Sequence, residues 1–208
     1  MTEIAFHFNM PQKLPYVLRL IRKAVAAGAD GLACICGGAG GHTGSLNPFA
    51  FVSAVREFFD GLLVVGGAIS DGWGVAGALA AGADAVYMGT RFIAVQESLA
   101  APAYKQMLVD AQVDDLIVSD AITGTPASWL KPSLRAHGLD PDRLPSAPER
   151  RYDSHDSGTR QWRDVWAAGQ GVGSIRAIQP LSEVVDQIEH EYRQACGRFL
   201  QRQPRNPS

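Results

Sequence analysis

Cysteine is scarce: Cys34, Cys36 and Cys196 are the three in a chain of 208 residues. So thin and odd a set builds no disulfide framework. Cys34 and Cys36 stand two residues apart on an expected strand, a placement that does not suit a bridge between them. Their spacing is not that of zinc ligands either, so no metal site is expected and a reducing cytoplasm fits best. Long apolar runs are missing too. None approaches the roughly 18–20 residues of a membrane span. The opening MTEIAFHFNM has no basic segment leading into an apolar stretch, so no secretory leader is expected. An excess of charge of either sign is also lacking: 19 Lys and Arg stand against 21 Asp and Glu, a net charge of −2. That balance gives no electrostatic attraction to nucleic acid or to an anionic membrane. What is present is apolar, 46% hydrophobic against 19% charged residues, enough for a packed core. The length suits one domain, or one domain plus a tail.

Periodicity sets out an alternation of strands and helices. Ile4–Phe8 reads as a short strand, and Gln12–Ala27 as a helix with Leu14, Val17, Leu18, Ile21 and Val25 on one face. Gly28 stops that helix. Leu32–Cys36 is a compact apolar strand. Pro48–Phe59 follows as a helix, with Asn47 as N-cap, Pro48 in the first turn, and Phe49, Val52, Val55, Phe58 and Phe59 as its apolar face. Leu62–Val65 is the next strand, Val75–Ala81 a helix that Asp71 caps, and Ala85–Met88 a further strand. A helix over Ala103–Val113 comes after it. Short continuous apolar strands of this kind imply a parallel sheet covered on both faces. The phrases AVAAGADGLACI and ALAAGADAVYM are near-copies, aligned at Ala26 and Ala80, and mark a repeated helix-to-strand unit. Such units build either a barrel or an open doubly wound sheet. Residues 140–158 are polar and rich in Pro, Asp and Arg, and read as a linker. His155 within them reads as solvated, and Trp129, Trp162 and Trp166 as packing residues. Leu181–Leu200 is an amphipathic helix with Val184, Val185, Ile188, Tyr192 and Phe199 inward, and QRQPRNPS is a frayed tail.

Glycine gathers just after the strands, in GGAGGHTG (Gly37–Gly44), GGAISDG (Gly66–Gly72) and MGT (Met88–Thr90). In a parallel βα fold the C-terminal strand ends form one rim, and ligands bind there. Bare backbone lets N–H groups approach an anion, and a helix N-terminus adds partial positive charge. No lysine or arginine lies inside these stretches, which suggests a phosphate held by backbone amides. Any one loop taken alone is equally an ordinary turn; three on one rim favour a ligand. His42 stands in the first loop. A lone histidine is often structural, but an imidazole at such a rim can accept a proton from a weak carbon acid near neutral pH.

AGGHTG (Ala39–Gly44), GAISDG (Gly67–Gly72), GADAVYMGTRF (Gly82–Phe92) and VWAAGQGVG (Val165–Gly173) together resemble the nitronate monooxygenase family. ITGTPASWLKPSL and GLDPDRLP resemble the C-terminal region of one branch of it. The resemblance implies an α/β fold of the parallel (β/α) TIM-barrel type and an FMN cofactor. It also implies oxidation of nitronates or nitroalkanes by O2, with His42 as catalytic base. By the same resemblance Gly40 and Gly41 pass close to FMN. Gly67 with Ala68, and Met88 with Gly89 and Thr90, form the phosphate loops, and Gln170 returns toward the flavin. Two departures stand out. Ala68 replaces a second glycine, which requires its φ to stay below zero. Ala167 stands where many relatives have serine.

Relatives are far longer, and the strands above correspond to the second half of an eight-stranded barrel. The resemblance thus divides the chain into residues 1–113, a (β/α)4 FMN-phosphate-binding half-barrel, and residues 114–208, a C-terminal extension with a loop and an amphipathic helix. Half a barrel has two unpaired edges, so a second copy or a separately encoded N-terminal half is an expected partner, beside a small-molecule substrate. Two rival readings remain: a flavin-dependent enoyl thioester reductase or desaturase, and a truncated non-catalytic fragment that needs a partner chain.

Overall fold

The computed structural model describes residues 5–8, 14–144 and 164–202. Ile4, Gln12, Lys13, His155, Trp162, most of the 140–158 linker and the tail beyond Arg202 lie outside the described residues. Strands β1 (Ala5–Phe8), β2 (Gly31–Ile35), β4 (Leu62–Gly66) and β5 (Ala85–Tyr87) form a four-stranded parallel sheet in the order β1-β2-β4-β5. Helices α1 (Leu14–Ala26), α2 (Pro48–Arg56) and α3 (Gly72–Ala80) fill the connections. The order follows the chain without reversal, so among the described residues the sheet has no switch point of the doubly wound kind.

Local chemistry sets the helix ends. The Asn47 side chain accepts a hydrogen bond from the Phe49 amide at 3.0 Å, and Pro48 fits the first turn of α2. Asp71 does the same for α3, accepting from the Gly74 amide at 2.7 Å. The repeated AAGAD phrase reflects one shared device. Gly28 and Gly82, at φ 90° and 113°, turn the chain out of α1 and α3 in the left-handed region. The second copy adds a fastener. Asp84 accepts from the Leu63 amide at 2.7 Å and pairs with Arg56 at 2.6 Å, and Arg56 also donates to the Gly82 and Gly61 carbonyls.

The main core lies between the sheet and α1 to α3. Leu32, Cys34, Leu63 and Val65 point into it and meet Val17, Ile21, Val52 and Val55. Each such side chain contributes roughly 1.5–3 kcal/mol by leaving water. Burial pushes both the Cys34 and Cys36 thiols up to about 12, so neither is a nucleophile near neutrality. The expectation of a sheet covered on both faces is not met among the described residues. Strand pairing places Ala33, Leu62, Val64, Ala85 and Tyr87 on the opposite face. Leu62 and Tyr87 there are 54% and 63% exposed. Apolar runs signal strand formation, but they do not reveal what packs against the second face.

Two helix faces also differ from expectation. In α2 Val52 and Val55 are buried as expected, but the core phenylalanine is Phe51, whereas Phe49 is 57% exposed. Two positions on a helix are about 200° apart, so these two phenylalanines cannot share a face. In α7 (Leu181–Gln201) Val184 and Ala195 are buried, while Val185 and Phe199 are exposed. That helix seats on the small residues of α3, and its inward stripe is correspondingly narrow. No room exists for a Cβ at Gly72 beside the Ile188 carbonyl and the Tyr192 amide.

Beyond α4 (Thr90–Ile93) and α5 (Pro102–Asp110) comes an antiparallel sheet that the sequence patterns did not signal. Strands β6 (Leu116–Ser119) and β7 (Ala127–Leu130) pair with each other, and β7 pairs with β3 (Gly41–His42) in the order β3-β7-β6. This ladder crosses the 113/114 division. Trp129 and Leu134, the latter on α6 (Lys131–Ala136), pack with Val165 in a second cluster.

Candidate functional site

The glycine loops after β2, β4 and β5 converge on one cleft of about 370 Å³. Gly40, Gly41, His42, Gly67, Ala68, Gly89 and Thr90 all line it. Met88 does not, although its neighbours Tyr87 and Gly89 do. Gln170 reaches the same place by its backbone, donating to the Gly38 carbonyl at 2.9 Å, and its flanking Gly169 and Gly171 are on the wall.

Loop crowding explains the glycines. A Cβ on Gly40 would fall 2.7 Å from the Gly169 amide nitrogen, inside any tolerable contact. At Gly89 the equivalent position has nothing within 4 Å, so bare backbone faces open space. Gly67 has φ 120°, and a Cβ there would meet the Cys36 carbonyl oxygen at 2.8 Å. Ala68 corrects an expectation: its φ is 57°, not negative. The Ala68 amide donates to the Gly38 carbonyl at 3.2 Å, and holding that bond with Gly67 already turned places alanine in the left-handed region. The neighbouring fold thus outweighs a local cost of order 1 kcal/mol.

His42 is exposed at the cleft and held from both sides. β3 pairs it with Ala127, and the adjacent Thr43 amide donates to the Pro126 carbonyl at 3.2 Å. The buried Thr43 hydroxyl reaches the Cys36 carbonyl at 3.3 Å. The glycine loop is therefore anchored through the residue next to the imidazole.

Segment 166–171 crosses the cleft as a belt. The Gly169 amide donates to Thr90 Oγ1 at 3.0 Å, and Ser128 Oγ donates to the Ala168 carbonyl at 2.7 Å. Tyr104 lies on the wall, stacked on Trp166 with ring centroids 5.0 Å apart, and its hydroxyl donates to the Ala167 carbonyl at 2.5 Å. Burial pushes the Tyr104 phenol up to about 12, so it remains a donor. Sequence reasoning missed Tyr104, Tyr87 and Ser70 as wall residues. Ser70 was within reach, since it sits inside GGAISDG. Tyr104 carried no local signal, because it arrives on α5.

Among the described residues the wall contains no Asp, Glu, Lys or Arg. Its polar groups are backbone amides, the Ser70 and Thr90 hydroxyls, two phenols and one imidazole. Among the described residues no cluster of His, Cys, Asp or Glu could hold a metal ion, and no helix is long and apolar enough to cross a membrane. A neutral, donor-rich, glycine-lined cleft suits a ligand with an anionic end and a flat apolar body.

Comparison with known proteins matches residues 18–191 to the nitronate monooxygenase family model. A nitronate monooxygenase of Paraburkholderia phytofirmans is 29% identical over 231 residues, covering 95% of this chain and 63% of its own. The solved structure of a nitroalkane oxidase from Streptomyces ansochromogenes is 27% identical with a TM-score of 0.70, covering 95% of this chain and 59% of that one. The structure of FabK from Thermotoga maritima is 26% identical, also with a TM-score of 0.70, covering 96% of this chain and 63% of that one. The chain thus spans 59% to 63% of the length of these relatives. With residues 18–191 accounted for by one family model, the chain belongs to the nitronate monooxygenase family.

Proposed function

We propose that this chain carries the cofactor-phosphate site and catalytic base of an FMN-dependent enzyme that oxidises nitronates or nitroalkanes with O2. The observation that carries the reading is the convergence of His42 and the three glycine loops on one cleft, uncharged among the described residues, in a member of this family. The residues fit an FMN phosphate. Gly67, Ala68, Gly89 and Thr90 offer closely spaced backbone, Gly89 faces open space, and Ser70 and Thr90 add hydroxyls. Gly40, Gly41, Met88 and Gln170 border the same volume by sequence or contact. Bound flavin would supply the two-electron acceptor that O2 reoxidises.

His42 would take the α-proton of a neutral nitroalkane and leave the nitronate. A neutral imidazole suits that step because its ordinary pKa lies near working pH. Tyr104 keeps the belt in place through its bond to Ala167, and Tyr87 offers an aromatic side wall. The half-exposed face of the parallel sheet calls for further βα units to enclose the substrate side. In this reading they come in cis, from a second copy, or from a separately encoded half, and they complete a barrel.

The test is a pair of measurements on purified protein. The chain should carry flavin, and His42→Ala should keep that flavin while losing turnover on the neutral nitroalkane far more than on the preformed nitronate. Equal losses on both substrates would remove the proton-abstraction role. Oxidation of a nicotinamide coupled to an enoyl thioester, with no nitronate turnover, would move the assignment to a thioester reductase. Absence of flavin under all conditions would leave a non-catalytic fragment.

A further inference from the structure

The proposed ligand ends in a phosphate with up to two negative charges, yet among the described residues no charged side chain lines the cleft. An anion drawn out of water gains from a nearby positive charge even without contact, because the low-dielectric surroundings screen it weakly. The residue directly after the wall residue Thr90 is Arg91, on α4. Its side chain is only 4% exposed. Nη2 donates to Gln179 Oε1 at 3.0 Å and approaches Gln187 Oε1 at 3.5 Å, while Nη1 is buried with no hydrogen-bond partner among the described residues.

A buried guanidinium is normally matched by a carboxylate. The carboxylate in electrostatic reach is Glu191 of α7. Both its oxygens are engaged elsewhere: Oε2 accepts from the Gly72 amide at 2.9 Å, and Oε1 from Gln187 Nε2 at 2.8 Å. Desolvation works against the Arg91 charge and Glu191 supports it, but an arginine stays protonated throughout. An incompletely partnered cation in such a place adds little stability; an apolar residue of similar volume would serve the fold as well or better. What the charge does offer is a buried cation on the residue that directly follows the wall residue Thr90.

We propose that Arg91 is a positioning residue that supplies, through the Gly89–Thr90 loop, the counter-charge for the cofactor phosphate, and that Glu191 moderates it from α7. This rests on the FMN reading above. It assigns a binding task to a residue outside the cleft wall, and it makes the C-terminal helix part of the cofactor site.

The test compares FMN with riboflavin, which lacks the phosphate, by titrating each into the full chain and following flavin fluorescence. The unaltered chain should prefer FMN. Arg91→Gln should weaken FMN binding about tenfold and leave riboflavin binding unchanged. Arg91→Lys, which keeps the charge, should restore most of the preference. Glu191→Gln should strengthen FMN binding and not riboflavin binding. Parallel losses for both flavins in Arg91→Gln would mean a purely structural role and overturn the proposal. If Arg91→Gln fails to fold, Glu191→Gln decides: an unchanged or smaller FMN-to-riboflavin ratio overturns it. An unaltered chain that takes up neither flavin overturns the FMN reading itself. A preference for FMN that survives Arg91→Gln intact overturns this inference alone.

Discussion

Replacing Ala68 with glycine should make the chain more stable. Ala68 is the non-glycine residue with positive φ among those described, at 57°. For an L-residue with a Cβ that conformation costs roughly 1–2 kcal/mol. Glycine removes the cost but brings a more flexible unfolded chain, which offsets about 0.5–1 kcal/mol. The Ala68 methyl is exposed, so little burial is lost with it. The net gain lies between zero and about 1.5 kcal/mol, with a rise in Tm of roughly 2–4 °C per kcal/mol for a domain of this size. Urea denaturation should show a higher midpoint with an unchanged slope. The reverse change nearby calibrates the reasoning. Gly67→Ala forces a side chain onto φ 120° with its Cβ 2.8 Å from the Cys36 carbonyl oxygen, and should cost about 3 kcal/mol. A lower midpoint for Ala68→Gly, or a neutral Gly67→Ala, would refute the assigned loop geometry.

Two further perturbations test the scaffold around the cleft. The Leu63 amide and then the Arg56 guanidinium hold the Asp84 carboxyl below its ordinary value, so its stabilisation is present above about pH 4 and is lost as pH falls through the lowered folded value. Asp84→Asn should therefore lie below wild type in Tm at neutral pH and converge with it in acid; a gap constant with pH would show that the charge is not what stabilises. Tyr104→Phe removes the donor to the Ala167 carbonyl and should cost about 1–2 kcal/mol in urea denaturation, with no loss if water replaces the hydroxyl.

The parallel sheet was legible because its signals are local. Apolar runs, the caps at Asn47 and Asp71, and glycines past helix ends all act within a few residues and locate the four parallel strands and α1 to α3, although α2 ends at Arg56 rather than Phe59, α3 starts at Gly72 rather than Val75, and β3 and α4 carried no such signal. The wall glycines were legible for a related reason: close backbone approach excludes every side chain, so sequence records it directly. Helix orientation was less so. Phe49 and Phe51 are equally apolar, and only the packing of α2 on the sheet decides that Phe51 turns inward. The positive φ of Ala68 was illegible because tertiary hydrogen bonding, not intrinsic preference, selects it. β6 and β7 escaped notice because LIVS and ASWL are short and the second partner of β7, Gly41–His42, lies some eighty residues earlier.

That distant pairing changes how the cleft must be understood. The three loops belong to the parallel sheet, but only the Ala68–Gly38 bond joins them directly in the set that follows, and the other bonds that fix their spacing come from elsewhere. Gly38 accepts from both Ala68 and Gln170, Thr90 accepts from Gly169, and His42 sits on a ladder closed by Ala127. Each of these links joins segments far apart in the chain, so each requires a large loop to close before it forms. The α1–α3 layer can pack on its sheet through neighbouring contacts alone, whereas the cleft exists only once the β6–β7 hairpin and the 166–171 belt have docked. The glycines make the loops able to approach one another; the C-terminal residues decide where they stop. A site read from its glycines alone is therefore half described, and the imidazole's position is as much a property of Ala127 and Pro126 as of the loop that carries it.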